Sequence, residues 1–325
     1  LKLSELALSP LRGLYGPRVS LLPHQLHLAQ EVGKRLAPRV LLADEVGLGK
    51  TIEAGLILHQ QLITGRANRA LILVPTNLTH QWLVELLRRF GLPPSIIDQH
   101  RLEACVIQGT SPFANANLAL ASLDWVTSSP EILALAKAED WDLLLIDEAH
   151  HLAWQPNQPS PAYEAIEELA AKIPGLLLLT ATPEQAGSAG FFAQLRLLDP
   201  ARYPSLEEFT QEQSSYNLVA KALKELAAGA QLSEAVKNQL SLLVSDASQA
   251  LIEQLEASSS TEVTQLLVEE LTQQLLDRYG TGRVLFRNRR AVVGGFPERL
   301  PLPEALELPA SYKGQRLLWQ RINNT

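Results

Sequence analysis

Residues 40–51 read Val-Leu-Leu-Ala-Asp-Glu-Val-Gly-Leu-Gly-Lys-Thr. The four leading apolar residues predict a buried strand, and the stretch 51–63 after the two glycines has the composition of a helix. A glycine-bearing turn between a strand and a helix can aim backbone N–H groups and the positive helix end at a phosphate. Lys50 can then reach the outer phosphates of a nucleotide, and the hydroxyl of Thr51 can bind Mg²⁺. We therefore predict a phosphate-binding loop made of Asp44, Glu45, Val46, Gly47, Leu48, Gly49, Lys50 and Thr51.

One position of this loop departs from the usual pattern. Asp44 stands where a phosphate-binding loop normally begins with glycine. Taken alone, the stretch is also compatible with a glycine-rich turn followed by a surface lysine.

A second motif supports the nucleotide hypothesis. The apolar run 143–146 is followed at once by Asp147 and Glu148. Ligands of open α/β sheets bind at the carboxyl ends of the strands, which is where these acids would lie. We expect Asp147 to bind Mg²⁺ and Glu148 to act as the base that deprotonates the attacking water.

The remaining apolar runs predict an α/β fold. Short continuous runs at 70–74, 118–121 and 176–179 are typical of strands that are buried on both faces of a parallel sheet. Stretches long enough for helices, such as 79–90, separate several of them. We predict a three-layer nucleoside-triphosphatase fold, with a parallel sheet between two layers of helices and a mostly helical insertion.

His150 and His151 suggest zinc, but the absence of a spaced ligand set argues against it. We expect His150 to hydrogen-bond across the site towards residues 180–183. The threonines there, Thr180 and Thr182 on either side of Ala181, have two open interpretations: they sense the nucleotide or they cap the next helix.

Composition and charge set further limits. The chain has 325 residues, of which 46% are hydrophobic and 19% are charged, and this excludes a disordered or fibrous protein. No apolar run approaches the roughly 18 residues of a membrane helix, and the single cysteine, Cys105, excludes a disulfide scaffold. We expect a soluble, cytoplasmic protein. The absence of methionine, even at the first position, predicts a fragment of a longer protein.

The motifs occur in the order Pro-His-Gln (23–25), phosphate loop, Asp-Glu-Ala-His (147–150) and Thr-Ala-Thr (180–182). In this order they resemble those of superfamily 2 helicase-like ATPases, which have a RecA-like fold. With an acid at its first position, the loop resembles that of the Swi/Snf-type translocase branch. Longer runs throughout the chain are similar to the RNA-polymerase-associated bacterial members of that branch.

The resemblance implies ATP as substrate with Mg²⁺. It makes Gln25, with His24 beside it, the reader of adenine, and it assigns Asp147, Glu148, Ala149 and His150 to the acidic motif. Residues 180–182 become the motif that couples the nucleotide to movement, while 73–81 and 122–124 line the path of double-stranded DNA. This branch moves along duplex DNA without separating its strands, and RNA polymerase is the implied protein partner.

The expected organisation has four parts. Residues 1–22 are a leader segment, 23–204 the first RecA-like lobe, 205–280 a helical insertion and 281–325 a basic return segment.

The insertion carries 12 acidic and 4 basic residues, which leaves 23 acidic and 24 basic residues elsewhere. That charge suits a solvated helix face better than a docking surface. The bases from Arg283 to Arg290 either contact phosphates or pair with the insertion. We expect the second lobe, its arginine finger and the polymerase-docking modules outside this chain.

Two other functions compete with a polymerase remodeller. One is a general double-stranded DNA translocase in repair or restriction. The other is a polymerase-binding protein with a vestigial ATPase, against which the intact Lys50, Thr51, Asp147 and Glu148 argue.

Overall fold

The structure is a computed structural model that describes residues 14, 16–20, 22–45, 47–181, 187–211 and 284–288. Val46 and Thr182 of the predicted site lie outside these residues. So do most of the predicted leader, insertion and return segment, including Arg283, Arg289 and Arg290.

The described residues form one parallel sheet of seven strands. Its spatial order is β3-β4-β2-β5-β6-β1-β7, and every neighbouring pair is parallel. The strands are β1 (Arg39–Leu42), β2 (Ala70–Val74), β3 (Ser95–Ile97), β4 (Leu118–Ser122), β5 (Leu143–Ile146), β6 (Gly175–Leu179) and β7 (Leu285–Phe286). This architecture confirms the predicted α/β class and parallel sheet.

Helices join the strands. The α-helices are α1 (Pro23–Gly33), α2 (Lys50–Ile63), α3 (Thr79–Glu85), α4 (Gln99–Ile107), α5 (Leu123–Ser128), α6 (Pro130–Lys137), α7 (Pro161–Lys172) and α8 (Gly187–Leu198). A π-helical turn at Leu86–Phe90 continues α3. Ser129 and Ser160 cap α6 and α7, because each hydroxyl accepts a backbone N–H three residues on and is followed by a proline that cannot donate.

Alternate residues of each strand enter two different cores. Leu144 and Ile146 of β5 pack into a core with α5 to α8, whereas Leu143 and Leu145 pack into a core with α1, α2 and α3. Both faces of the central strands are therefore covered. This explains why these strands are apolar without alternation, as the sequence predicted.

The predicted strand bounds agree closely with the observed ones. β2 and β5 match them at both ends, while β1, β4 and β6 differ by one residue at one or both ends. The sequence analysis missed β3 and β7, which have three and two residues. No helix among the described residues is long and apolar enough to cross a membrane.

Candidate active site

The carboxyl ends of the central strands bring the predicted motifs to one edge of the sheet. β5 lies between β2 and β6, and β1 follows β6. The phosphate loop leaves β1, Asp147 and Glu148 leave β5, and Thr180 leaves β6. Because the strands are parallel, these three segments emerge on the same side, as ligand sites of open α/β sheets do.

Glycine is required at two positions of the loop. Gly47 has φ +86°, and Gly49, which precedes α2, has φ +95°. A Cβ at Gly49 would also lie 2.5 Å from Nε2 of Gln25, so a side chain there would be strained and would clash. Lys50 then begins α2 and donates its Nζ to the carbonyl oxygen of Asp44 at 2.9 Å.

The two residues expected to read adenine lie against this loop. Gln25 is buried, and its Nε2 donates to the carbonyl oxygen of Leu48 at 3.0 Å. Nε2 of His24 lies 3.4 Å from the same oxygen. Thus α1, which begins at Pro23, packs its first turn onto the glycine turn.

The sequence analysis missed a buried acid behind the loop. Glu53 is fully buried in the first turn of α2, 3.5 Å from Nε2 of His24. Burial, and then the charge of Asp44 and a hydrogen bond with it, raise the pKa of Glu53 to about 9. Donor atoms of His24, Asp44 and Glu53 lie within 4.8 Å of one another. They could hold a cation only if Glu53 lost its proton, which burial opposes.

Asp147 is held by two donors. Its Oδ2 accepts the indole N–H of Trp82 at 2.7 Å, and its Oδ1 accepts the backbone N–H of Glu148 at 2.8 Å. Burial raises the pKa of Asp147, and these two hydrogen bonds counteract the rise. The carboxylate is therefore fixed in orientation at the end of β5. The sequence analysis did not connect Trp82, in the helix after β2, with Asp147.

Glu148 has a strained backbone. Its φ is +50° and its ψ is 47°, a left-handed conformation that costs a non-glycine residue roughly 1–2 kcal/mol. Such strain is concentrated at functional sites, where the surrounding structure maintains it. The Oε2 atom of Glu148 lies 3.1 Å from Nδ1 of His150.

His150 links the acidic motif to β6. Its Nδ1 lies 3.4 Å from Oγ1 of Thr180, which confirms the predicted contact across the site. Burial lowers the pKa of His150 by more than the neighbouring Glu148 carboxylate raises it. The imidazole is therefore neutral near pH 7 and can donate one hydrogen bond. Ala149, beside it, is buried.

The two segments expected to follow DNA meet beside this site. Oγ1 of Thr76, just after β2, lies 2.7 Å from Oγ of Ser122 and 3.3 Å from Oδ2 of Asp124. β2 and β4 are neighbours in the sheet, so their carboxyl ends bring these residues together. The three form an exposed polar edge.

Comparison with known proteins gives a consistent result. A model of the SNF2-related domain matches residues 28–280. The chain is 51% identical over 305 residues to the RNA polymerase-associated protein RapA of Vibrio cholerae, covering 94% of this chain and 32% of that protein. It is 50% identical over 307 residues to RapA of Photobacterium profundum, again covering 94% and 32%. It thus spans about a third of the length of these relatives.

A solved structure shares the fold. The SWI2/SNF2 ATPase core of Sulfolobus solfataricus, solved in complex with double-stranded DNA, superposes with a TM-score of 0.53 at 17% sequence identity. The match covers 83% of this chain and 60% of that one.

Proposed function

This chain belongs to the SNF2-related domain family, and from that premise we propose that it is the first ATP-binding lobe of a DNA-dependent translocase that hydrolyses ATP to remodel or recycle RNA polymerase. One observation carries the proposal. The loop that ends in Lys50 and the acids Asp147 and Glu148 emerge from β1 and β5 at the same edge of the sheet. A phosphate cradle, a metal-binding carboxylate and a base are the parts that this lobe contributes to phosphoryl transfer.

The residues present fit Mg²⁺. The Thr51 hydroxyl and the Asp147 carboxylate are the hard oxygen donors that this ion prefers, and it usually takes only one or two carboxylates. A cation would also offset the burial that raises the pKa of Asp147. When bound, Mg²⁺ would neutralise charge on the phosphate oxygens.

Side chains of this chain have the remaining roles in ATP binding and hydrolysis. Lys50 turns from the carbonyl of Asp44 to the outer phosphates, and Gln25 and His24 hold the glycine turn from behind. Glu148 accepts the proton of the attacking water. The neutral His150 can donate its hydrogen bond either to Glu148 or to Thr180. A change between these two partners would connect Thr180 of the coupling motif with the proposed base.

Duplex DNA is the proposed track. At the exposed edge, Thr76 and Ser122 present hydroxyls of the type that often contact DNA phosphates. The Sulfolobus core of the same fold was solved with double-stranded DNA, which supports this assignment.

The identity to RapA supports RNA polymerase as the partner. We propose a cytoplasmic location, which the similarity to a bacterial RNA polymerase-associated protein supports. A general repair or restriction translocase and a vestigial ATPase are the two competing functions.

Hydrolysis assays on the protein with its downstream lobe distinguish these functions. We expect ATP turnover that duplex DNA stimulates and Lys50→Ala abolishes, together with co-purification with RNA polymerase. Stimulated turnover without polymerase binding would favour the general translocase. Polymerase binding without turnover would favour the vestigial ATPase.

A further inference from the structure

The aspartate that replaces the first glycine of the loop has a specific partner. Asp44 is fully buried, and both of its carboxylate oxygens accept hydrogen bonds from Asn288. The backbone N–H of Asn288 donates to Oδ1 at 2.7 Å, and its Nδ2 lies 3.2 Å from Oδ1 and 3.0 Å from Oδ2. The two residues are 244 positions apart in the chain.

Asn288 reaches Asp44 because β7 extends the ladder of β1. Backbone N–H groups of Leu41, Ala43 and Glu45 donate in turn to the carbonyls of Val284, Phe286 and Asn288. The pairing therefore continues beyond the end of β1 and into the phosphate loop. Within the described residues, Asn288 is its last rung.

This arrangement fixes the start of the loop. The carbonyl oxygen of Asp44 accepts Nζ of Lys50, and a carboxylate oxygen of Asp44 lies within 4.8 Å of one of Glu53. A buried carboxylate is costly unless donors satisfy it, and Asn288 supplies three of the donor contacts. Without the Nδ2 contacts of Asn288, the backbone at Asp44 would have to shift for the buried carboxylate to find other donors, and the carbonyl that holds Nζ of Lys50 would shift with it.

We propose that Asn288 is a positioning residue for the phosphate loop, so that nucleotide affinity depends on segment 284–288 being docked on β1. The inference rests on the proposed function, because it assumes that the loop binds ATP. It also explains how an aspartate can begin the loop. The side chain is anchored from a strand that is distant in sequence.

Binding of Mg·ATP to the 325-residue chain tests this inference. Asn288→Ala removes both Nδ2 contacts and keeps the backbone donor, and it should weaken the affinity roughly tenfold, since a buried charged acceptor loses part of its hydrogen bonding. Asn288→Asp should weaken it at least as much, because it places two carboxylates face to face. Combining Asn288→Asp with Asp44→Asn restores a donor and an acceptor, and should recover most of the loss.

A matched control separates positioning from general stability. Oδ2 of Asp142 accepts the backbone N–H groups of Asn68 and Arg69 at 2.7 and 3.0 Å, at the opposite edge of the sheet. We expect Asp142→Ala to lower the melting temperature but to leave Mg·ATP affinity within about twofold, because ligand binding responds to local contacts.

Three outcomes decide the matter. Lost affinity in Asn288→Ala with recovery in the double variant supports the inference. Unchanged Mg·ATP affinity in Asn288→Ala, or equal losses of affinity in Asn288→Ala and Asp142→Ala, overturns the inference. The proposed function still stands in that case if the parent chain binds Mg·ATP and Lys50→Ala does not. If the parent chain binds Mg·ATP no better than Lys50→Ala does, both the inference and the proposed function are wrong.

Discussion

Trp82 donates its indole N–H to the carboxylate of Asp147 over 2.7 Å, and both side chains are buried. Trp82 lies in α3, which follows β2, whereas Asp147 ends the neighbouring strand β5. The proposed Mg²⁺ ligand Asp147 is thus oriented by a residue of the helix that follows the neighbouring strand, β2. Outer-shell partners of this kind commonly control metal affinity.

Trp82→Phe keeps the aromatic ring and removes the donor. We expect the Mg²⁺ concentration for half-maximal ATP binding to rise roughly tenfold, because Asp147 loses a hydrogen bond that favours its charged form. Trp141→Phe is the matched control, since its buried indole donates to the carbonyl of Ala136 away from the site. Equal Mg²⁺ dependence in the two variants would count against an orienting role for Trp82.

Lys50→Ala removes the cation at the start of α2. We expect ATP affinity to fall by about tenfold or more, since hydrogen bonds to charged groups contribute roughly 1.5–3 kcal/mol. Titration with a fluorescent ATP analogue measures this. Unchanged affinity and turnover would remove the loop from nucleotide binding.

Glu148→Gln tests the proposed base. The amide cannot accept the proton of water, so ATP affinity should persist while turnover falls roughly 10²–10⁴-fold. Single-turnover hydrolysis, measured with the downstream lobe present, checks this. Normal turnover would assign the base elsewhere.

Glu53→Gln should change how stability depends on pH. The pKa of Glu53 is raised to about 9, so the folded chain keeps a proton that the unfolded chain releases above its ordinary value of 4.5. This group therefore lowers the free energy of unfolding progressively as pH rises from about 4.5 to 9. Glutamine stays neutral, so the variant should gain stability over the parent across that range.

Urea unfolding at pH 5, 7 and 9 measures this difference. Glu207→Gln, at an exposed position, controls for the removal of a carboxylate. A stability difference between Glu53→Gln and the parent that stays constant with pH would show that Glu53 is ionised in the fold.

The lobe alone should bind Mg·ATP and hydrolyse it slowly, with little stimulation by duplex DNA. In the proposed two-lobe mechanism the arginine that stabilises the transition state would come from the second lobe, and such an arginine is worth roughly 10³–10⁵ in rate. Comparing residues 1–325 with the two-lobe protein in the same assay checks this. Equal DNA-stimulated rates would contradict a two-lobe mechanism.

Local pattern predicted the central strands because burial on both faces leaves continuous apolar runs. It could not predict β7, since two residues carry no periodicity and their pairing with β1 depends on the whole topology. Asn288 was missed for the same reason. The sequence identified the departure at Asp44 but not the partner that accommodates it.

Packing also decided two features that propensity does not encode. The predicted helix 79–90 becomes a π-helical turn at Leu86–Phe90, where the ring of Phe90 packs so closely on Gly55 that a Cβ would lie 2.3 Å away. Glu53 resembles an ordinary acid that complements a helix N-terminus. Glu53 is fully buried, with His24 of α1 3.5 Å from its carboxylate, and the sequence around Glu53 does not show this packing.

The position of β1 between β6 and β7 has a consequence for biosynthesis. A ribosome that adds about 5–20 residues per second needs on the order of 12–49 s to make the 244 positions that separate Asp44 from Asn288. During that interval the glycine turn emerges without the strand that completes its ladder. We expect the nascent chain to acquire its nucleotide-ready form late, after the rest of the sheet has been translated.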